Sequence, residues 1–147
     1  MGKTAMAVLA AVLTTGIWIP ASAAHRAQEQ AQAQAGAPAI SWDNWRAAKD
    51  QAEKADNEGD YKAAYGAYLE YIRQAEGLAR PDLVAWGKND AAYMLIRMHK
   101  EDSSVDLTKA KTLLDEGLAI EGASQECLDR LRSNLAYVEY ALSRKSG

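Results

Sequence analysis

The chain has 147 residues, a length typical of one domain, and carries 17 Lys and Arg residues against 20 Asp and Glu residues. These charges are interspersed, so the chain lacks the basic stripe expected for nucleic-acid binding, and no basic amphipathic stretch predicts a membrane-surface helix. Cys127 is the only cysteine, which excludes an intramolecular disulfide. We interpret Cys127 as a small apolar residue of a helix; a free thiol or a bond between two chains is the alternative.

The first 23 residues have the features of a secretory signal peptide. Lys3 provides a positive charge, residues 5–19 are rich in apolar side chains, and Ala21 and Ala23 provide the small residues of a cleavage site. The apolar stretch is shorter than the about 20 residues of a membrane-spanning helix, although an uncleaved anchor is the alternative. We therefore expect an exported protein, in a bacterial periplasm or secreted, with no membrane span once the signal peptide is removed.

Residues 24–40 form an Ala- and Gln-rich segment of low complexity. The segment contains no large apolar side chain before Ile40, and Gly36 and Pro38 interrupt any helix. Sequence of this composition does not bury enough apolar surface to fold by itself. We predict a flexible tether over residues 24–40, followed by a folded domain over residues 41–144.

The folded part has a helical pattern, because apolar residues recur at intervals of three and four and no segment alternates with a period of two. Ser41 and Ser124 are suitable N-caps, and Pro81 suits the first turn of a helix. We predict an all-α domain of five helices joined by short loops, over residues 41–57, 60–79, 81–100, 106–120 and 125–144.

The pattern repeats when the sequence is shifted against itself. A shift of 44 residues aligns Trp42 with Trp86 and Tyr93 with Tyr137. The same shift aligns one alanine from each of the first, third and fifth helices: Ala48, Ala92 and Ala136. A shift of 46 residues aligns alanines of the second and fourth helices: Ala64 and Ala110. A fixed period of this size with two helices in each unit is typical of a helical solenoid.

One segment, Gly59-Asp60-Tyr61-x-x-Ala64-x-x-x-Tyr68, resembles the turn and second helix of a tetratricopeptide repeat. The segment Asn134-Leu135-Ala136-Tyr137 is similar to a first-helix segment of that family. The resemblance implies an antiparallel helix-pair solenoid, in which small residues let paired helices approach closely. It covers residues 41–143, as two helix pairs and a C-terminal capping helix. The sequence departs from the family in a period about ten residues longer than the usual length of about 34, and in lacking Gly-Asp in its second turn.

No pattern in the sequence predicts an active site, a cofactor or a metal centre. His99 is the only histidine of the predicted domain, so a histidine-based zinc cluster is excluded. Cys127 and His99 are the one nucleophile and base that could pair, and the chain has neither a Gly-rich phosphate loop nor a G-x-S-x-G motif. We interpret the acidic residues near the end of the first helix as a solvated charged face: Asp50, Glu53, Asp56 and Glu58.

In tetratricopeptide arrays the first helices of successive units line a concave groove, which binds extended peptides or partner helices. Transferring this arrangement through the aligned alanines predicts an aromatic groove with nearby cations, a composition typical of binding hot spots. Its residues are Trp42, Trp45, Lys49, Trp86, Asn89, Tyr93, Arg97, Arg130, Tyr137 and Tyr140. Aromatic residues at helical spacing are also typical of a core, so both interpretations stay open for Trp42 and Trp86. We assign the tyrosines of the second helix to the core: Tyr61, Tyr65, Tyr68 and Tyr71.

The sequence thus predicts a non-catalytic protein–protein interaction module, an adaptor or scaffold that holds a peptide or a partner helix on the aromatic groove. The alternative is a self-associating structural subunit, a homo-oligomer whose contact surface would be the same aromatic face. An enzyme of unrecognised type is the third alternative.

Overall fold

The computed structural model describes residues 36–145, so the predicted signal peptide and most of the predicted tether lie outside the described residues. From Pro38 onward the chain forms one unit, whose described part contains five helices. They are α1 (Trp42–Asn57), α2 (Tyr61–Gly77), α3 (Pro81–Glu101), α4 (Thr108–Leu118) and α5 (Gln125–Lys145). Residues 36–145 contain no strand, which confirms the predicted all-α fold. Over the same range, no helix combines the length and apolar character that a membrane crossing requires.

Side-chain caps explain where α1, α2 and α5 begin. The Ser41 hydroxyl accepts a hydrogen bond from the Asn44 N–H at 3.1 Å, and the Asp60 carboxylate accepts one from the Ala63 N–H at 3.0 Å. The Ser124 hydroxyl accepts the Cys127 N–H at 3.2 Å, as predicted for this cap. Each bond satisfies one of the backbone donors that the first turn of a helix leaves without an intrahelical partner.

Helix α4 is shorter than predicted, since it begins at Thr108 instead of Asp106 and ends at Leu118 instead of Ile120. The Asp106 carboxylate accepts hydrogen bonds from both the backbone N–H and the hydroxyl of Thr108, at 2.9 and 2.8 Å. These bonds hold a turn before the helix. At the other end, the backbone N–H of Ala119 bonds to the carbonyls of Asp115 and Glu116 within one tightened turn, which ends the helix.

Consecutive helices pack against each other as hairpins, and α3 lies in the middle, in contact with α2, α4 and α5. Two apolar clusters form the core. The first joins α1, α2 and one side of α3, and its largest members are Tyr68, Tyr71, Ile72 and Met94. The second joins the other side of α3 to α4 and α5 through Leu95, Ile96, Leu114, Leu131 and Val138. Helix α3 therefore belongs to both clusters and holds the unit together.

The alanines predicted at close helix contacts are buried wherever a second helix follows. Ala48 is 5% exposed, and Ala64, Ala92 and Ala110 are completely buried. Ala136, the equivalent residue of α5, is exposed. Within residues 36–145, no helix follows α5 to pack on this position. Several charged side chains of α5 are also exposed: Arg130, Arg132, Glu139 and Arg144.

The last residues of the predicted tether are bound to α2. Gln74 is completely buried, and its side-chain amide donates to the Ala39 carbonyl at 2.9 Å while its carbonyl oxygen accepts the Ser41 N–H at 2.9 Å. The Ile40 side chain lies on Gly77, where an added Cβ would approach it to 2.7 Å. The contacts of the folded unit therefore begin before the N-cap of α1.

Candidate functional site

The ten residues of the predicted groove lie in several separate environments. At the start of α1, Trp42 is 40% exposed, and its ring meets that of Trp45 edge-on at a centroid distance of 5.6 Å. The Arg80 guanidinium lies 5.3 Å from the centre of the Trp42 ring. Trp45 is half-buried and packs on Tyr71 of α2 at 5.1 Å. Trp45 therefore contributes to the first core cluster, whereas Trp42 forms a cation–π contact at the surface.

Trp86 and Tyr137 pack against the second core cluster. The Lys100 ammonium lies 5.0 Å from the centre of the Tyr137 ring. Tyr140 is 61% exposed and contacts Arg144 one turn further along α5. Trp86 and Tyr137 therefore pack against a different cluster from Trp45.

Lys49 forms an ion pair with Glu53 on its own helix, at 2.6 Å. Both side chains are well exposed, so this contact contributes little to stability. Arg97 turns toward Tyr61 of α2: its guanidinium hydrogen-bonds to the Tyr61 hydroxyl and lies 4.4 Å from the centre of that ring.

Three predicted residues, Asn89, Tyr93 and Arg130, line one cavity of about 320 Å³ between α1, α2, α3 and α5. We call it the central cavity. Its other lining residues are Asp56 from α1, Tyr68 from α2, Asp90 and Met94 from α3, and Asn134 from α5. It is the place where four helices bring carboxylates, amides, aromatic rings and a guanidinium together.

A chain of amide hydrogen bonds forms one wall of the central cavity. The Asn134 side-chain amide donates to the side-chain oxygen Oδ1 of Asn89 at 2.9 Å. The side-chain NH₂ group of Asn89 donates in turn to the Asp90 carboxylate at 3.0 Å. Asn89 is only 5% exposed, so these bonds satisfy a buried polar side chain. They also fix the position of the Asp90 carboxylate relative to α5.

The Asp90 carboxyl group has an altered proton affinity. Its pKa is raised to about 6, chiefly by burial and also by the nearby carboxylates of Glu53 and Asp56, against the opposing effects of the hydrogen bond from Asn89 and the charge of Arg130. Desolvation disfavours the charged form of a buried acid. The cavity therefore holds a carboxylate whose charge is incompletely compensated by the groups around it.

The Asp56 carboxylate is also incompletely compensated. Its Oδ1 atom is buried and accepts no hydrogen bond from any described residue. The guanidinium of Arg97 is 3.9 Å away, which is an ion pair but not a hydrogen bond. Because Arg97 is bound to Tyr61, it is not free to approach Asp56 more closely.

Tyr68 contributes a phenol group to the lining of the cavity. The residue is only 7% exposed. Burial is the main reason that the pKa of Tyr68 lies well above its usual range, and the charges of Asp90 and Asp56 raise it further.

Sequence reasoning did not assign Asp56, Tyr68, Asp90, Met94 or Asn134 to a functional site. Asp56 belonged to the charged face and Tyr68 to the core, and Tyr68 is indeed a core residue that also lines the cavity. Asp90 could have been selected from the sequence. It lies between Asn89 and two alanines, on the helix face that it shares with Met94. A carboxylate on a largely apolar face is uncommon enough to mark a candidate position.

Cys127 and His99 have separate surroundings. Burial raises the pKa of the completely buried Cys127 thiol to about 11, which disfavours the reactive thiolate. His99 Nδ1 lies 2.8 Å from the Val105 carbonyl oxygen, to which the ring donates. Within residues 36–145, no hydrogen bond joins the two side chains, and no group of three or more His, Cys, Asp or Glu side chains is placed to hold a metal ion.

No protein-family model, curated protein or solved structure matches the chain.

Proposed function

We propose that this protein is a non-catalytic protein–protein interaction module, built as a degenerate tetratricopeptide-like array and working in an extracytoplasmic compartment. The observation that carries the proposal is the central cavity. Residues from both repeat units and from the capping helix line it: Asp56, Asn89, Tyr93 and Arg130. A solenoid presents such composite surfaces because successive units place equivalent helices side by side.

The burial of the alanines supports the repeat. Ala48 and Ala92 occupy equivalent positions of α1 and α3 and are both buried against neighbouring helices. Ala64 and Ala110 occupy equivalent positions of α2 and α4 and are completely buried. Two helix pairs with the same small residues at close contacts are the arrangement that the resemblance implies.

The composition of the cavity favours recognition over catalysis. Its polar groups are carboxylates, amides, two phenols and one exposed guanidinium, and neither the thiol of Cys127 nor the imidazole of His99 lines it. Tyr93 and Arg130 are of the types enriched at binding hot spots. A polypeptide segment, extended or helical, would cross the cavity and insert one side chain.

Site-specific crosslinking tests the proposal. A photoreactive amino acid replaces Arg130 in one chain and Arg132 in a control chain, and each is irradiated in the cells that produce the protein. Both residues are exposed on α5, but only Arg130 lines the central cavity. We expect a discrete adduct with another polypeptide from position 130 and none of that size from position 132. The same adducts from both positions, or none from either, would contradict the proposal.

Self-association is a second candidate, and one observation favours it. Ala136 is exposed although its equivalents Ala48 and Ala92 are buried, and Tyr140 beside it is 61% exposed. The outer face of α5 is therefore open at the position where α1 and α3 receive a neighbouring helix. Sedimentation equilibrium of the protein, beside an Ala136→Glu variant, tests this candidate. A mass that rises with concentration only in the unaltered protein is expected from self-association, and a strict monomer excludes it.

A further inference from the structure

The chemistry of the central cavity indicates which kind of side chain a bound polypeptide would insert. We propose that the cavity binds the cationic side chain of a lysine or an arginine of the partner. The inference rests on the function proposed above and specifies the anchoring residue of that interaction.

The cavity contains a hydrogen-bond acceptor atom that receives no hydrogen bond from the donors of residues 36–145. The Asp90 carboxylate receives a hydrogen bond from Asn89, but the buried Oδ1 of Asp56 receives none from any described residue. An ammonium group has three donors and a guanidinium has five, so either could satisfy these atoms together. Hydrogen bonds between a cation and a carboxylate are about twice as strong as neutral ones.

The cations of the protein itself do not fill this role. Arg130 is 67% exposed, and its guanidinium lies 3.8 Å from Glu126, one turn away on the same helix. Arg97 is held by the hydroxyl and the ring of Tyr61, and it reaches Asp56 only at 3.9 Å. Two carboxylates at the cavity therefore remain weakly compensated, which favours a cation from outside.

The remaining lining suits the rest of a basic side chain. The rings of Tyr68 and Tyr93 supply aromatic faces, which attract ammonium and guanidinium groups. Met94 supplies an adaptable apolar surface for the methylene groups of the stem. The volume of about 320 Å³ is at the lower end of the range for ligand pockets, so it suits one side chain better than a larger ligand.

Binding of a cation should depend on pH. Several groups from the neighbouring helices act on the Asp90 carboxyl or are acted on by it: Glu53, Asp56, Tyr68, Tyr71, Cys127 and Arg130. Because Asp90 gains its charge as the pH rises through about 6, the affinity for a cation should increase over the same range. Ionisation of this single group corresponds to an increase of up to about tenfold between pH 5 and pH 7.

The experiment titrates the ¹⁵N-labelled whole chain with capped pentapeptides and follows backbone amide shifts by NMR. The probes are acetyl-Ala-Ala-Arg-Ala-Ala-amide, its lysine counterpart, and its citrulline counterpart, which has nearly the shape of arginine without the charge. We expect saturable shifts at residues 56, 68 and 89–94 with the two basic peptides. Citrulline should bind at least tenfold more weakly. Equal shifts with citrulline, or no saturable shift with a basic peptide, would overturn the inference.

Two variants locate the site. Asp90→Asn and Asp56→Asn should each weaken binding of the arginine peptide at least fivefold, whereas Asp129→Asn, an exposed acid on α5 outside the cavity, should leave it unchanged. Circular dichroism checks that each variant keeps its helices. Unchanged affinity in both cavity variants would refute the assignment. Propylguanidinium serves as a small free cation, and binding as tight as that of the peptide would contradict a polypeptide partner.

The crosslinking tests the proposed function and the titration tests the cationic anchor, so a negative result in one does not imply a negative result in the other. If position 130 yields a polypeptide adduct but no basic peptide binds, the interaction module stands and the cationic anchor is wrong. If basic peptides bind at residues 89–94 but no polypeptide is crosslinked in cells, the cavity is a cation site and the proposed function is wrong.

Discussion

The side chain of Asn134 on α5 donates a 2.9 Å hydrogen bond to the side chain of Asn89 on α3, across 45 positions of sequence. This bond joins the capping helix to the central helix, beside the contacts of the second apolar cluster. It also orients the amide that donates to the Asp90 carboxylate. Stability of the C-terminal helix and geometry of the central cavity therefore depend on the same pair of residues.

Replacing Asn134 with Ala should lower the free energy of unfolding by about 1–3 kcal/mol. The substitution removes the hydrogen-bond donor of the side-chain oxygen Oδ1 of Asn89, a residue that is only 5% exposed. A buried acceptor without a donor lowers the stability of the folded state. Ser133→Ala is the matched control, since Ser133 is exposed and bonds only within its own helix. Urea denaturation of both variants measures the difference. An Asn134→Ala variant as stable as the control would show that water replaces the lost donor without cost.

Two glycines in helices should respond oppositely to alanine. A Cβ at Gly87 of α3 would lie 2.7 Å from side-chain atoms of Ile72 and Tyr71, so Gly87→Ala should destabilise the protein by about 1–3 kcal/mol. At Gly66 of α2 nothing lies within 4 Å of the added atom, so Gly66→Ala should stabilise it by about 0.5–1 kcal/mol through helix propensity. Thermal unfolding measures both, and effects of the same sign would contradict the described packing of α2 on α3.

Asp90→Asn should stabilise the protein at neutral pH. The pKa of Asp90 is raised from 3.8 to about 6 in the folded state, so the folded state binds a proton more tightly than the unfolded chain. Ionisation therefore costs stability as the pH rises from about 4 to about 6, and the full cost of about 2–3 kcal/mol is present above that range. An asparagine can still accept the hydrogen bond from Asn89.

The measurement is the difference in unfolding free energy between Asp90→Asn and the unaltered protein at pH 8 and at pH 3.5. We expect the difference to be positive at pH 8 and near zero at pH 3.5, where this carboxyl group is mostly protonated in both the folded and the unfolded state. A difference independent of pH would mean that the effect of the substitution is not electrostatic.

Gln74→Met should release the segment before α1. The completely buried Gln74 amide bonds to Ala39 and Ser41, and methionine has a similar shape but no amide. Leaving these backbone groups without hydrogen-bond partners should lower the free energy of unfolding by about 1–3 kcal/mol. Hydrogen exchange at the Ser41 amide should accelerate, whereas Gln51→Ala, at an exposed position of α1, should not change it. Unchanged exchange in Gln74→Met would show that Ile40 alone holds the segment on Gly77.

Local features of the sequence predict much of the fold. The three-and-four spacing and the caps at Ser41, Asp60 and Ser124 give the five helices, because both act within one or two turns. The prediction fails by two residues at each end of α4, where Asp106 bonds to Thr108 and closes a turn before the helix. The repeated alanines predict close contacts, and Ala136 is exposed only because no described helix follows α5.

The helical segments and the small residues that permit close packing are predictable from the sequence, since these properties depend on neighbours within a few positions. Which polar groups share a cavity depends on how the helices pack in three dimensions. Tyr93 and Arg130 come together in the central cavity with Asp56 and Asp90, while Trp86 and Tyr137 pack against a core cluster. Burial and compensation of a charge depend on the packing of four helices against one another. The spacing of residues along any one helix does not specify that packing.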